Sequence, residues 1–144
     1  MDDIMMEHPA PEYRLPPGTR YGTRKDAVGT SLSGYVHATL AELETIFGPP
    51  MRGSGDGKVD YQWVLHIHSQ LCTVYNYKWR VHDAEQKYWW HIGGPDTVPP
   101  VAAVADVTLL PTEIAGHVAG VPDAVQQMLY QQMRNRNPEG GQPR

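Results

Sequence analysis

The stretch Val59–Lys78, VDYQWVLHIHSQLCTVYNYK, decides the fold. Tyr61, Trp63, Leu65 and Ile67 alternate with Gln62, Val64, His66 and His68. Period-two alternation of aromatic and β-branched residues is the mark of a half-buried strand. Leu71–Tyr77 resumes the pattern and is rich in Val, Thr and Tyr, residues that fit a pleated surface. Two such runs predict a hairpin, turning at Ser69-Gln70 or over the four residues His68–Leu71. The longer turn avoids the positive φ that a two-residue loop demands. Either turn sets Ile67 opposite Cys72 and Trp63 opposite Asn76, and opposed side chains share a face. Tyr61, Trp63, Leu65, Ile67, Cys72 and Val74 then form a core face, with Asn76 and Lys78 leaving it at the far end. Gln62, Val64, His66, His68, Leu71, Thr73, Tyr75 and Tyr77 form a second face, polar and aromatic, suited to a ligand.

Outward from the hairpin, the 144-residue chain has room for one domain. Residues 1–27 contain Pro9, Pro11, Pro16, Pro17 and Gly18 and read as a disordered, Pro-rich arm carrying Arg14, Arg20, Arg24 and Lys25. An α+β domain is expected over 28–121. Within it, Val28–Ala38 reads as a strand with a bulge at Ser33-Gly34. Thr39 and Glu42 make a capping box for a helix whose stripe is Leu40, Leu43, Ile46 and Phe47, stopped by Gly48-Pro49-Pro50. Lys87–Gly94, KYWWHIGG, is a further strand. Thr97–Leu110 reads as a helix beginning at Pro99 or Pro100, and Pro111-Thr112-Glu113 as the opening of a short helical turn. A C-terminal helix is expected at 122–134, with Pro122 at its first position, and a disordered tail at 135–144. The fold expected is therefore a small antiparallel sheet of three or four strands, one packed helix and C-terminal helices.

Charge and cysteine content limit the function classes. Net charge is −4 and the pI about 5.9, which gives no basic excess to hold duplex nucleic acid. Cys72 is the only cysteine, in keeping with a reducing cytoplasm. Val101–Leu110, the most apolar stretch, is too short to span a bilayer, so no membrane partner is expected. The Gly-rich run Met51–Lys58 lacks phosphate-loop spacing.

His66 and His68 at i and i+2, with His91 and His37 on other strands, raise a metal reading: a third imidazole and an open position could activate water. The competing reading is that these histidines are polar strand residues. No Asp or Glu lies on these strands, and no His-Glu-x-x-His motif or Cys pair accompanies them. The expectation is no metal and no cofactor. Ser31, Ser33, Ser54, Ser69 and Cys72 lack a nucleophile motif, so no catalytic residue is assigned and a binding protein is favoured over an enzyme. Aromatic and polar-tipped residues supply the positive signal. The candidate ligand residues are Tyr35, His37, His66, Tyr75, Tyr77, Trp89 and His91, with Arg52 and Arg80 as cations for an anionic ligand.

The motifs Gly34-Tyr35-Val36, LAELETIFGPP (40–50), KVDYQW (58–63), TVYNYK (73–78) and WHIGG (90–94) together resemble a family of small accessory proteins encoded by tailed bacteriophages and prophages. The resemblance covers about Gly34–Gly94, and the family's Asp-Gly-like turn is replaced here by Ser69-Gln70. It implies a viral protein acting in the host cytoplasm. Such a protein would serve counter-defence or host takeover, inhibiting a host protein or sequestering a nucleotide-like immune signal. The alternatives are a His-metal hydrolase or nuclease, and a virion or assembly component. A small core, long ends and a Met-rich helix at 122–134 add an expectation of a homo-oligomer.

Overall fold

A computed structural model describes His8, residues 13–53 and residues 57–115. Among these, seven strands form one open antiparallel sheet with two helices, an α+β architecture. The strands are β1 (Thr19–Tyr21), β2 (Ser31–Ala38), β3 (Met51–Arg52), β4 (Tyr61–Ile67), β5 (Gln70–Tyr75), β6 (Tyr88–Gly94) and β7 (Thr112–Ile114). The helices are α1 (Leu40–Phe47) and α2 (Val98–Thr108). The sheet order is β1-β4-β5-β6-β2-β7, and β3 also pairs with β4. Because β5 takes one edge of β4, β1 and β3 share the other.

The hairpin forms, but its turn is His68-Ser69 rather than Ser69-Gln70 or a four-residue loop. Both residues adopt left-handed backbone, with φ of 49° and 70°. Two positive φ angles give the twist that matches the flanking strands, which outweighs the cost of a side chain at each position. Ile67 therefore faces Gln70, Leu65 faces Cys72 and Trp63 faces Val74. This register is displaced by two residues from the expected one. Side chains alternate with period two, so the strand residues keep their expected faces, while His68 passes from the second face into the turn.

The Trp63 face is the core. Trp63, Leu65, Ile67, Cys72 and Val74 join Val36, Ala38, Trp90 and Ile92, and α1 adds Leu40, Leu43 and Phe47. The α1 capping box is present, with Thr39 Oγ1 accepting from the Glu42 N–H and Glu42 Oε1 accepting from the Thr39 N–H, both at 2.9 Å. α2 packs on the same face through Val101 and Val104. It comes close to the sheet because glycines leave room. A Cβ on Gly94 would strike Pro100, and one on Gly34 would strike Val101 and the Glu113 carbonyl. Two helices, α1 and α2, cover the face.

The chain departs from the sequence expectation at three further places. Thr112–Ile114 is a strand on β2 rather than a helical turn. There the Pro111 carbonyl accepts from the His37 N–H at 2.8 Å, and β-branched Thr112 and Ile114 suit an edge. Residues 13–27, expected as disordered arm, run along β4 as β1 and a short 3-10 turn at Arg24–Ala27. Asn76, expected to leave the core, is fully buried. The bulge at Ser33 is present, as the register shifts between Leu32 and Gly34. The helix expected at 122–134, the tail at 135–144 and the last part of the 28–121 domain lie outside the described residues.

Candidate functional site

On the face opposite the helices, strand register builds one transverse row. Reading across β7, β2, β6, β5, β4 and β3, it contains Glu113, Tyr35, His91, Tyr75, Gln62 and Met51. Directly opposed residues on neighbouring strands share a face, so the row follows from pairing alone. Tyr77, just past the end of β5, leans back toward it.

The rings meet edge to face in the Tyr35–His91 and Tyr75–Tyr77 pairs and tilted in the two others. Tyr35 and His91 have centroids 5.2 Å apart at 89°. Tyr75 lies 5.3 Å from His91, Tyr77 lies 5.8 Å from His91, and Tyr75 and Tyr77 lie 6.4 Å apart at 89°. Such perpendicular arrangements suit the aromatic quadrupole. Gly93 makes room for the cluster, since a Cβ there would meet Thr73 Oγ1 at 2.6 Å and the Tyr75 ring at 3.3 Å. Burial pulls the His91 imidazole down to about 4. Burial, and then the neighbouring Tyr35 and Tyr77, push the Tyr75 phenol up. Tyr77 stays 36% exposed, and the Lys78 ammonium lies 5.3 Å over its ring.

The structure brings together Tyr35, Tyr75, Tyr77 and His91. The other candidates lie elsewhere. His37 and Trp89 are on the same face, tilted against each other at 4.8 Å, but buried. His66 is drawn to the arm, its Nε2 lying 3.1 Å from Asp26 Oδ2. Asp26 also closes the capping box of the 3-10 turn with Thr23. Arg52 opposes Tyr61 and stacks over its ring at 4.6 Å, which puts it on the helix-covered face. Arg80 donates to Asp60 Oδ1 at 2.9 Å. Neither arginine reaches the ring cluster. His68 occupies the hairpin turn, its ring against Gly18, so the His-x-His pair does not present two imidazoles on one strand face. Among the described residues no group of three or more His, Cys, Asp or Glu side chains could hold a metal. Cys72 is buried, and burial pushes its thiol up to about 12, so it stays protonated and unreactive.

Sequence reasoning passed over two residues that shape this region. Asn76, within TVYNYK, ties the strand ends together. Its Oδ1 accepts from the Asp60 and Tyr61 N–H groups at 3.0 and 2.9 Å. Its Nδ2 donates to Asp60 Oδ2 and the Trp79 carbonyl at 3.2 and 2.7 Å. Asp60, so fixed, holds Arg80. His8 is the other, buried at the β4 edge. An Asn interrupting an aromatic strand pattern was a usable signal for the first. A lone His in a Pro-rich arm offered none.

No family model, curated protein or solved structure matches this chain.

Proposed function

We propose that the protein acts by binding, as a phage accessory factor that occupies a host protein through the Tyr35/Tyr75/Tyr77/His91 surface. The motif resemblance supplies the context of counter-defence or host takeover in the host cytoplasm. The observation that carries the choice of partner is the separation of the two candidate arginines from the rings. A nucleotide-like signal needs both a stacking platform and gathered positive charge, whereas Arg52 lies over Tyr61 and Arg80 is engaged by Asp60. Rings with polar tips, with the Lys78 ammonium over Tyr77 but neither candidate arginine alongside, suit a protein interface. Among the described residues no helix is long and apolar enough to cross a membrane. Self-association belongs to the same proposal. Light scattering of the full chain beside a chain stopped at Val121 tests it, and a full chain that stays monomeric at high concentration would count against it.

Affinity capture from host lysate with the full chain tests the partner, with Tyr77→Ala as the control. One host protein should be retained by the wild type. Its affinity should fall about thirtyfold in the variant, the cost of losing a central aromatic anchor of about 2 kcal/mol. Calorimetry against cyclic nucleotides and ADP-ribose derivatives runs beside it. Heat with a nucleotide, and no protein retained, would overturn the protein reading in favour of signal sequestration.

A further inference from the structure

We propose that the triangle of Tyr75, Tyr77 and His91 receives a cationic side chain, arginine or lysine, from the partner protein. This rests on the host-protein reading and specifies the chemistry it would recognise.

The geometry comes first. The three centroid separations are 5.3, 5.8 and 6.4 Å. A cation seated about 4 Å above the middle of such a triangle lies within the roughly 6 Å over which a ring face attracts positive charge. Tyr77 provides the accessible side of the site, at 36% exposed.

Charge points the same way. Burial holds His91 neutral at physiological pH, so it does not repel an incoming cation. The chain as a whole carries −4, which favours encounter with a basic surface. An anionic partner group would find neither Arg52 nor Arg80 at the cluster.

The chain also supplies its own stand-in. The Lys78 ammonium sits 5.3 Å over the Tyr77 ring, so that ring already accepts a cation. Lys78 is held there by its backbone, which has a φ of 65° and donates from its N–H to the Lys58 carbonyl at 2.7 Å. It is an intramolecular competitor for the site.

Nuclear magnetic resonance of the aromatic side chains in the full chain tests the assignment. The probes are tetramethylammonium chloride, acetyl-Gly-Arg-Gly amide, acetyl-Gly-Glu-Gly amide and AMP. The Tyr77 and His91 ring signals should move with the first two probes and stay still with the others. Tyr77→Ala should abolish the response and Tyr77→Phe should keep it. Lys78→Gln should tighten the cation response about two- to fivefold, the scale of one exposed cation–π contact. Movement with AMP or the Glu peptide alone would overturn the assignment, as would silence with every probe. If the probes are silent while lysate capture remains Tyr77-dependent, the cation assignment falls and the host-protein reading stands. If the cation response persists and no partner is captured, the cation site stands and the host-protein reading falls.

Discussion

At the scale of single residues, Asn76 and His91 show how one side chain sets a local structure. Asn76 uses both lone-pair directions of its oxygen and both protons of its nitrogen inside the protein. An apolar replacement of similar size leaves the Asp60 and Tyr61 N–H groups buried without those acceptors, at about 1–3 kcal/mol each. Asn76→Leu should therefore destabilise the fold by about 3 kcal/mol or more in urea titrations, and a loss below about 1 kcal/mol would refute the account. His91 carries a pH prediction. Its folded pKa is about 4 against 6.5 for the free imidazole. The unfolded chain takes up the proton first as pH falls, so stability is full above pH 6.5 and declines from there toward 4. His91→Phe should flatten that part of the stability–pH curve, and an unchanged slope would show that His91 is solvated. The ring residues were legible in the sequence because strand parity alone puts Tyr75, Tyr77 and His91 on the outer face. The fate of the arginines was not. Whether Arg52 meets Tyr75 or Tyr61 depends on the register of β3, a two-residue strand with no periodicity to read.

At the scale of elements, α1 and the hairpin behaved as local chemistry dictates. Thr39 and Glu42 start the helix, and Leu40, Leu43 and Phe47 are buried as its stripe requires. Phe47 has no exposed surface, so Phe47→Ala should cost about 3–5 kcal/mol. A loss near zero in thermal or urea unfolding would contradict the packing. The hairpin faces were legible even though the turn was misplaced, because a two-residue displacement preserves which side each residue points to. The short strands β1, β3 and β7 were not legible. Two or three residues cannot display a period, and each exists because a longer strand offers an unfilled edge. β7 is the clearest case. It lies on β2 where Gly34 has no side chain, and a Cβ at Gly34 would strike the Glu113 carbonyl and Val101 together. Gly34→Ala should loosen β7 first. The Ala115 N–H, which donates to the Ser33 carbonyl at 2.9 Å, should exchange with solvent faster in the variant than amides of the β4–β5 hairpin. Equal protection of both would mean that the sheet absorbs the methyl group without releasing its edge.

At the scale of the whole molecule, the N-terminal segment closes the side of the sheet that the hairpin leaves open. Tyr13 and Tyr21 hydroxyls donate to the Thr45 and Phe47 carbonyls at the end of α1, at 2.7 and 2.5 Å. Arg24 donates to the Gly53 and Arg52 carbonyls at 3.2 and 3.1 Å. His8 completes this clasp. β1 pairs with Leu65–Ile67 and β3 with Tyr61 and Gln62, and between them the Val64 N–H donates to His8 Nε2 at 3.2 Å. His8 Nδ1 lies 3.3 Å from the Pro49 carbonyl. A backbone N–H can only donate and a carbonyl can only accept, so both bonds require the neutral imidazole protonated on Nδ1. Its surroundings enforce that form. Burial is the main cause of a pKa below the usual 6.5, and the Arg24 charge adds to it. Tyr21 stacks on the ring at 4.0 Å. Across the sheet edge, Asp26 is engaged by Thr23 and His66. Protonating His8 would set an imidazolium N–H against the Val64 N–H. Since the folded pKa is depressed, the contribution of this clasp is whole above pH 6.5 and is lost as pH falls below it. His8→Ala should cost about 1–3 kcal/mol at neutral pH, the penalty for stranding a buried backbone donor, and should expose the Val64 amide to exchange. His8→Gln, which offers an acceptor and a donor but no titration, should recover part of the loss and hold its stability below pH 6.5 where the wild type declines. A His8→Ala stability curve that superposes on the wild type at every pH would show that the clasp holds nothing.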